Sequence, residues 1–185
     1  MYTKNYLKFL LPILLIALTG LSFIACSDRG DDPNPDQVFG FLKDFSECGG
    51  FSQEAYGKSA VSYDDTLSCI DYTYSDNTLT INHFNTAFNC CPVITGTVGF
   101  RGDTIVLNEI ESFDQGGACH CLCLFDLTFE VGNLPANEYV VAVRENYLDE
   151  SEAAMVFHID LTNDSSGHFC VKRDYYPWGL YAEPE

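Results

Sequence analysis

The stretch "GGACHCLCLFDLTFEV", residues 116–131, decides the fold. In an extended strand, side chains two apart share a face. Cys119, Cys121, Cys123, Phe125, Leu127, Phe129 and Val131 therefore fall on one side, with His120, Leu122, Leu124, Asp126, Thr128 and Glu130 on the other. The first set is uniformly apolar, which marks a core face. One tetrahedral zinc holds its sulfurs ~2.3 Å from the metal and hence about 4 Å from one another. On a strand rising ~3.3 Å per residue, Cys119 and Cys123 lie about 13 Å apart. Bridges among the three fail for the same reason, because bridged cysteines bring their Cβ atoms to about 4 Å. Each sulfur must look to another strand.

Setting Cys26 aside, the cysteines are eight: Cys48, Cys69, Cys90, Cys91, Cys119, Cys121, Cys123 and Cys170. An even number in an exported chain points to disulfides, and eight cysteines allow 105 pairings. "NCCP" offers two partners, so the working assignment joins Cys90 and Cys91 to two of the three, Cys170 to the third, and Cys48 to Cys69. The alternative turns on Gly116-Gly117. If these hold the chain in a loop as far as Cys121, then Cys90, Cys91, Cys119 and Cys121 can gather around zinc or copper(I), with His120 usable as well.

Strand patterns fill the rest of the chain, with aromatic and β-branched runs separated by Gly, Asn, Asp and Ser. "SCIDYTYSDNTLTINHF" predicts two strands about Ser75-Asp76-Asn77, and "VITGTVGFRGDTIVLNEIES" a hairpin about Arg101-Gly102-Asp103. "CHCLCLFDLTFEVGNLPANEYVVAVRE" predicts a third pair turned at 132–137, and "AMVFHIDLTNDSSGHFCVKRDYY" a fourth turned at 162–167. Residues 38–56 fit a short helix or an edge strand, and 149–154 one helical turn. The expected fold is all-β: an antiparallel β-sandwich over 38–185, Ig-like in outline and stapled by disulfides, with a barrel as the alternative.

The start of the chain sets the compartment. Lys4 and Lys8 precede an apolar run that ends in "SFIAC", the layout of a secretory signal over 1–25. Ile24, Ala25 and Cys26 resemble the lipobox of bacterial lipoproteins, with Phe23 where leucine is usual; the resemblance implies cleavage before Cys26 and lipidation, palmitate included, of that cysteine. Residues 26–37, opening "CSDRGDDPNPDQ", form a solvated acidic tether. The acidic run resembles the surface-export signal of Bacteroidota lipoproteins. With "NCCP", "CHCLCLFDLTF" and "YYPW", the chain is similar to small cysteine-rich surface lipoproteins of that phylum. This resemblance implies a cell-envelope location, on the outer membrane and facing outward, with the membrane as partner through the lipid on Cys26.

From Cys26 onward the chain carries all 27 acidic residues but loses Lys4 and Lys8 of the nine basic ones, for a formal charge of 7 minus 27, or −20. Such a surface repels phosphate backbones and sets nucleic-acid binding aside. No Gly-x-Ser-x-Gly, His-Glu-x-x-His, phosphate loop or Ca²⁺ loop is present, so neither catalytic residues nor a cofactor are expected. His158, Asp160 and His168 fit exposed strand positions or a small polar cluster. The triplets Arg29-Gly30-Asp31 and Arg101-Gly102-Asp103 resemble integrin-binding motifs. Asp65-Thr66-Leu67 and Asp103-Thr104-Ile105 resemble O-glycosylation acceptors of exported Bacteroidota proteins. Tyr175, Tyr176, Trp178 and Tyr181 around Pro177 read as a tail packed across the fold. The expected function is a non-enzymatic, surface-anchored binding or adhesion module for a protein or glycan ligand. Metal capture through the alternative cysteine set is the second expectation.

Overall fold

The computed structural model describes residues 37–50, 63–114 and 116–179. The leader, Cys26, the Arg29-Gly30-Asp31 triplet, Tyr56 and Tyr181 lie outside them. Among the described residues nine strands form one sheet: β1 (Phe39–Phe45), β2 (Leu67–Ser75), β3 (Thr78–Asn89), β4 (Val93–Arg101), β5 (Thr104–Ser112), β6 (Leu122–Gly132), β7 (Glu138–Arg144), β8 (Val156–Asp160) and β9 (Ser166–Lys172). No helix occurs among the described residues.

Two of the expected hairpins form as the turn chemistry dictates. β2 and β3 pair from Leu79 opposite Tyr74 back to Phe84 opposite Cys69, about a turn in which Asp76 (φ 49°) and Asn77 (φ 58°) are both left-handed. Short polar side chains tolerate that conformation, and it matches the twist of the flanking strands. β4 and β5 pair along their whole length about Gly102 (φ 63°).

The other two expected pairs do not form, and the sandwich gives way to a single sheet in the order β8-β7-β5-β4-β1-β6-β3-β2-β9, nearly closed as a barrel. Residues 133–137 do not turn tightly. Leu134 is buried, its N–H donates to the Asn77 carbonyl (2.9 Å) and Tyr74 Oη donates to its carbonyl (2.7 Å). The segment thus crosses the mouth under the β2–β3 turn and delivers β7 parallel to β5, Thr104 opposite Val140 through Asn108 opposite Arg144. The sheet is therefore mixed, not antiparallel throughout. β8 and β9, although consecutive, stand at opposite ends of the strand order. They meet at a seam without a ladder, where Phe157 and Phe169 stack at 5.1 Å.

The face read from the opening stretch is the barrel interior: Phe125, Leu127, Phe129 and Val131 are buried with Leu79, Ile81, Ile105, Leu107 and Val141. Burial of this kind stabilises by roughly 25 cal/mol per Å² of apolar surface. Gly96 and Gly132 let large rings close over the backbone, since a Cβ on either would meet Phe129 or Phe39 well inside van der Waals contact.

Four disulfides lock the fold: Cys48–Cys123, Cys69–Cys170, Cys90–Cys121 and Cys91–Cys119. Both members of the "CC" pair bond to members of the triple, as assigned. Cys170 instead joins Cys69, directly opposite it in the β2–β9 ladder, and Cys48 takes Cys123. The assignment went astray because β9 pairs with β2, which sets Cys170 opposite Cys69, and because the chain after β1 runs beside β6, where Gly49 N–H donates to the Leu124 carbonyl and Cys48 reaches Cys123. All four bridges involve β1, β2, β3, β6, β9 or their flanking loops. β4, β5, β7 and β8 contain no cysteine.

Candidate functional site

The chemistry inside the barrel begins at an irregularity in β3. Regular alternation would send His83 and Thr86 to opposite faces. A bulge at Asn85 (φ 56°) shifts the register between them and turns both inward. Asn85 is held there from all sides: its N–H donates to Asp126 Oδ1 (3.0 Å), its side-chain amide to the carbonyls of Asp64 and Leu67, and its own carbonyl accepts Trp178 Nε1–H (2.8 Å).

His83 Nδ1 lies 2.5 Å from Glu109 Oε1, and the Thr86 hydroxyl donates to Glu109 Oε2 (2.8 Å). His83 Nε2 lies 2.8 Å from Ser68 Oγ, which is 3.3 Å from Glu145 Oε1. Arg173 Nη2 donates to Glu145 Oε2 (2.6 Å) and Nη1 to the Ala153 carbonyl (2.7 Å), with Glu152 3.8 Å away. Ser68, His83 and Arg173 are wholly buried. Burial alone would push the His83 imidazole down. The Glu109 carboxylate and its hydrogen bond, helped by Glu145, outweigh burial and hold it above its ordinary value. Burial raises the Glu145 carboxyl against the attraction of His83 and Arg173. Among the described residues, Arg173 Nε is the one buried side-chain nitrogen or oxygen without a hydrogen-bond partner; its guanidinium sits 5.9 Å from the centroid of the Trp178 ring.

Ser68, His83 and Glu109 follow the atom order of an acyl-transfer triad. Yet Ser68 Oγ is sealed from solvent between His83 Nε2 and Glu145 Oε1, so these residues form a closed network. No sequence motif joins these residues. The signal lies in two alternating runs: Leu79, Ile81, His83 and Ile105, Leu107, Glu109 each end an apolar face on a titratable residue.

The outer face differs. Phe39 and Phe41 project from β1 with parallel rings 6.2 Å apart, 44% and 41% exposed, and Phe45 follows at 45%. Phe41, Leu42, Lys43, Asp44, Phe45, Ile94, Thr95 and Gly96 line a shallow crevice of about 340 Å³ beside them. A second cleft, of about 510 Å³, runs between the Cys48–Cys123 and Cys90–Cys121 bridges and includes Tyr63, Asp65 and Asn85. The Tyr63 hydroxyl is pushed up by burial and by donating to Asp71 Oδ1 (2.5 Å).

The residues singled out in the sequence are scattered. His158 and His168 are exposed on β8 and β9, on either side of the seam, and Asp160 caps the following turn through Thr162 and Asn163. Arg101, Gly102 and Asp103 form an exposed turn whose Asp103 carbonyl accepts Val140 N–H. Thr66 Oγ1 already donates to Asp64 Oδ1, and Thr104 is half-buried in β5. Trp178 is buried against Tyr175 in a tilted contact, and Tyr176 Oη bonds both backbone groups of Leu122. The metal set does come together as a loop, but its four sulfurs are spent on Cys90–Cys121 and Cys91–Cys119, with His120 exposed beside them. Among the described residues no three His, Cys, Asp or Glu side chains gather as a metal site.

No family model matches this chain, and neither a curated protein nor a solved structure does.

Proposed function

We propose that the chain is a non-enzymatic binding module of the cell envelope, anchored through lipid on Cys26 and engaging a protein or glycan through the outer face of β1. The observation that carries this reading is the row Phe39, Phe41 and Phe45, three large apolar side chains left in solvent on one strand of a cross-linked barrel. Rings held parallel on a fixed strand give contact area with little ordering cost on binding. The crevice beside them adds Lys43 and Asp44 for orientation. The lipobox resemblance and the acidic tether support the anchor.

The mature protein is applied to glycan and protein arrays together with Phe39→Ser/Phe41→Ser. Binding that the double variant loses at unchanged thermal stability supports the reading. Equal binding by the variant, or no binding by either protein, overturns it. Radiolabelled palmitate incorporated by the wild type and absent from Cys26→Ala supports the anchor, and equal labelling of both removes it.

A further inference from the structure

The strand order gives the buried network a second meaning. β2, β3 and β9 make up one end of the sheet and β5, β7 and β8 the other. Apart from the His83–Ser68 contact, the polar contacts of the cluster span the two: His83 and Thr86 of β3 reach Glu109 of β5, Ser68 of β2 reaches Glu145 behind β7, and Arg173 behind β9 reaches Glu145 and the Ala153 carbonyl before β8. Along the seam, β8 and β9 are joined by their own turn at 161–165, beside Tyr74, whose N–H donates to the Ser165 carbonyl. The cluster closes the opposite end, where Ser68 opens β2 and Arg173 follows β9. The seam is thus hinged by covalent chain at one end and fastened by charge at the other.

The fastening depends on one proton. With both ring nitrogens of His83 protonated, Nδ1–H donates to Glu109 and Nε2–H to Ser68 Oγ, freeing the single Ser68 proton for Glu145. The charges then balance, His83 and Arg173 against Glu109 and Glu145. If His83 is neutral, Nε2 takes the Ser68 proton, Glu145 loses a donor, and two buried carboxylates face one guanidinium. The groups around the imidazole are Ser68 from β2, Thr86 from β3, Glu109 from β5, Glu145 after β7, Arg173 after β9 and the apolar Leu127 opposite it on β6, with Glu152 and Tyr175 next to Arg173.

We propose that this cluster is a proton-dependent latch: while His83 holds its second proton the seam is shut, and losing it lets β8 and β9 part from the latch end toward their turn. The imidazole is held above its ordinary value of 6.5 only in the closed state. Opening therefore releases a proton, and the open fraction rises about tenfold per pH unit from 6.5 up to the closed-state value.

Met155 is the natural reporter. It is fully buried at the latch end, its carbonyl bonded to Val143 N–H, and it is the sole methionine after the leader. Its oxidation by dilute peroxide is followed by mass spectrometry on the mature protein between pH 5.5 and 9, with circular dichroism and the amide exchange of β4–β5 checked in parallel. Oxidation rising about tenfold per pH unit above 6.5, while the circular dichroism and the protection factors of the β4–β5 amides stay constant, with a flat profile in His83→Gln, is the expected result. A flat profile in the wild type, or the same slope in His83→Gln, overturns the latch. Should His83→Gln not fold, the ring-nitrogen resonances of wild-type His83 decide. An imidazolium persisting above pH 6.5 supports the latch, and a neutral ring at that pH rejects it.

Discussion

The two ends of the barrel interior are held by different forces. Toward the β2–β3 turn, Leu79, Ile81, Leu107, Val131, Leu134 and Val141 interdigitate with no polar side chain among them. Toward the start of β2, Ser68, His83, Thr86, Glu109, Glu145 and Arg173 occupy the interior beside Phe88 and Phe125. Apolar burial is non-directional and indifferent to pH. A buried ionic network holds only while every member has its partner, because each orphan bears the full cost of desolvation. One end is therefore tolerant and the other conditional.

The largest effect that tests this contrast is Arg173→Met. It strands Glu145 inside the barrel and should cost about 3–5 kcal/mol in urea unfolding at pH 6. Replacing Glu145 by Leu in the same molecule should return most of that loss, since paired removal leaves no orphan charge. A double variant as unstable as the single one would show that the ions do more than neutralise each other. Leu127→Ala, where the two ends meet, should cost about 3 kcal/mol through lost transfer energy and a cavity, by the same amount at pH 6 and pH 9. A pH-dependent loss there would erase the distinction between the ends. Smallest is Thr86→Val, which deprives Glu109 of one donor and should cost about 1.5 kcal/mol in the same assay. A neutral result would mean that the bulge at Asn85 places Thr86 without using it.

The pH dependence has a definite sign. The raised values of His83 and Glu145 contribute stability that is present at low pH and lost as pH rises through their native values. The exposed carboxylates of Asp64, Asp149 and Asp160 act oppositely. Side-chain and backbone donors at Thr66, Ser151, Thr162 and Asn163 hold them below the ordinary carboxylate range, so their contribution disappears in acid. The wild type should be most stable between the carboxylate range and pH 6.5, and a stability maximum above pH 8 would contradict the raised values of His83 and Glu145.

The all-β class, the two short hairpins and the inward face of β6 were legible because each is dictated locally. Asp76, Asn77 and Gly102 accept left-handed backbone, and Phe125 to Val131 alternate without a break. The sandwich was the wrong assembly because pairing between distant strands leaves no local trace. β7 chooses β5 over β6 through Leu134 crossing the mouth, and nothing near Leu134 announces that. The partners of Cys123 and Cys170 were misassigned because they follow from the chain after β1 lying beside β6 and from β9 pairing with β2, neither of which leaves a local trace. The interior network was missed because His83 and Glu109, 26 residues apart, gain meaning only when the barrel brings them together. The exposed Phe39, Phe41 and Phe45 lay in a segment whose pattern fitted helix or strand alike.

The placement of the sulfurs has a mechanical corollary. From Cys48 to Cys170 the shortest covalent path follows the chain to Cys69 and crosses the Cys69–Cys170 bridge, and so omits β4, β5, β7 and β8 altogether. Tension applied between the chain ends would travel along this shortcut and bypass those four ribbons. They would remain slack, and could be rebuilt or lost without breaking the cord that carries the strain.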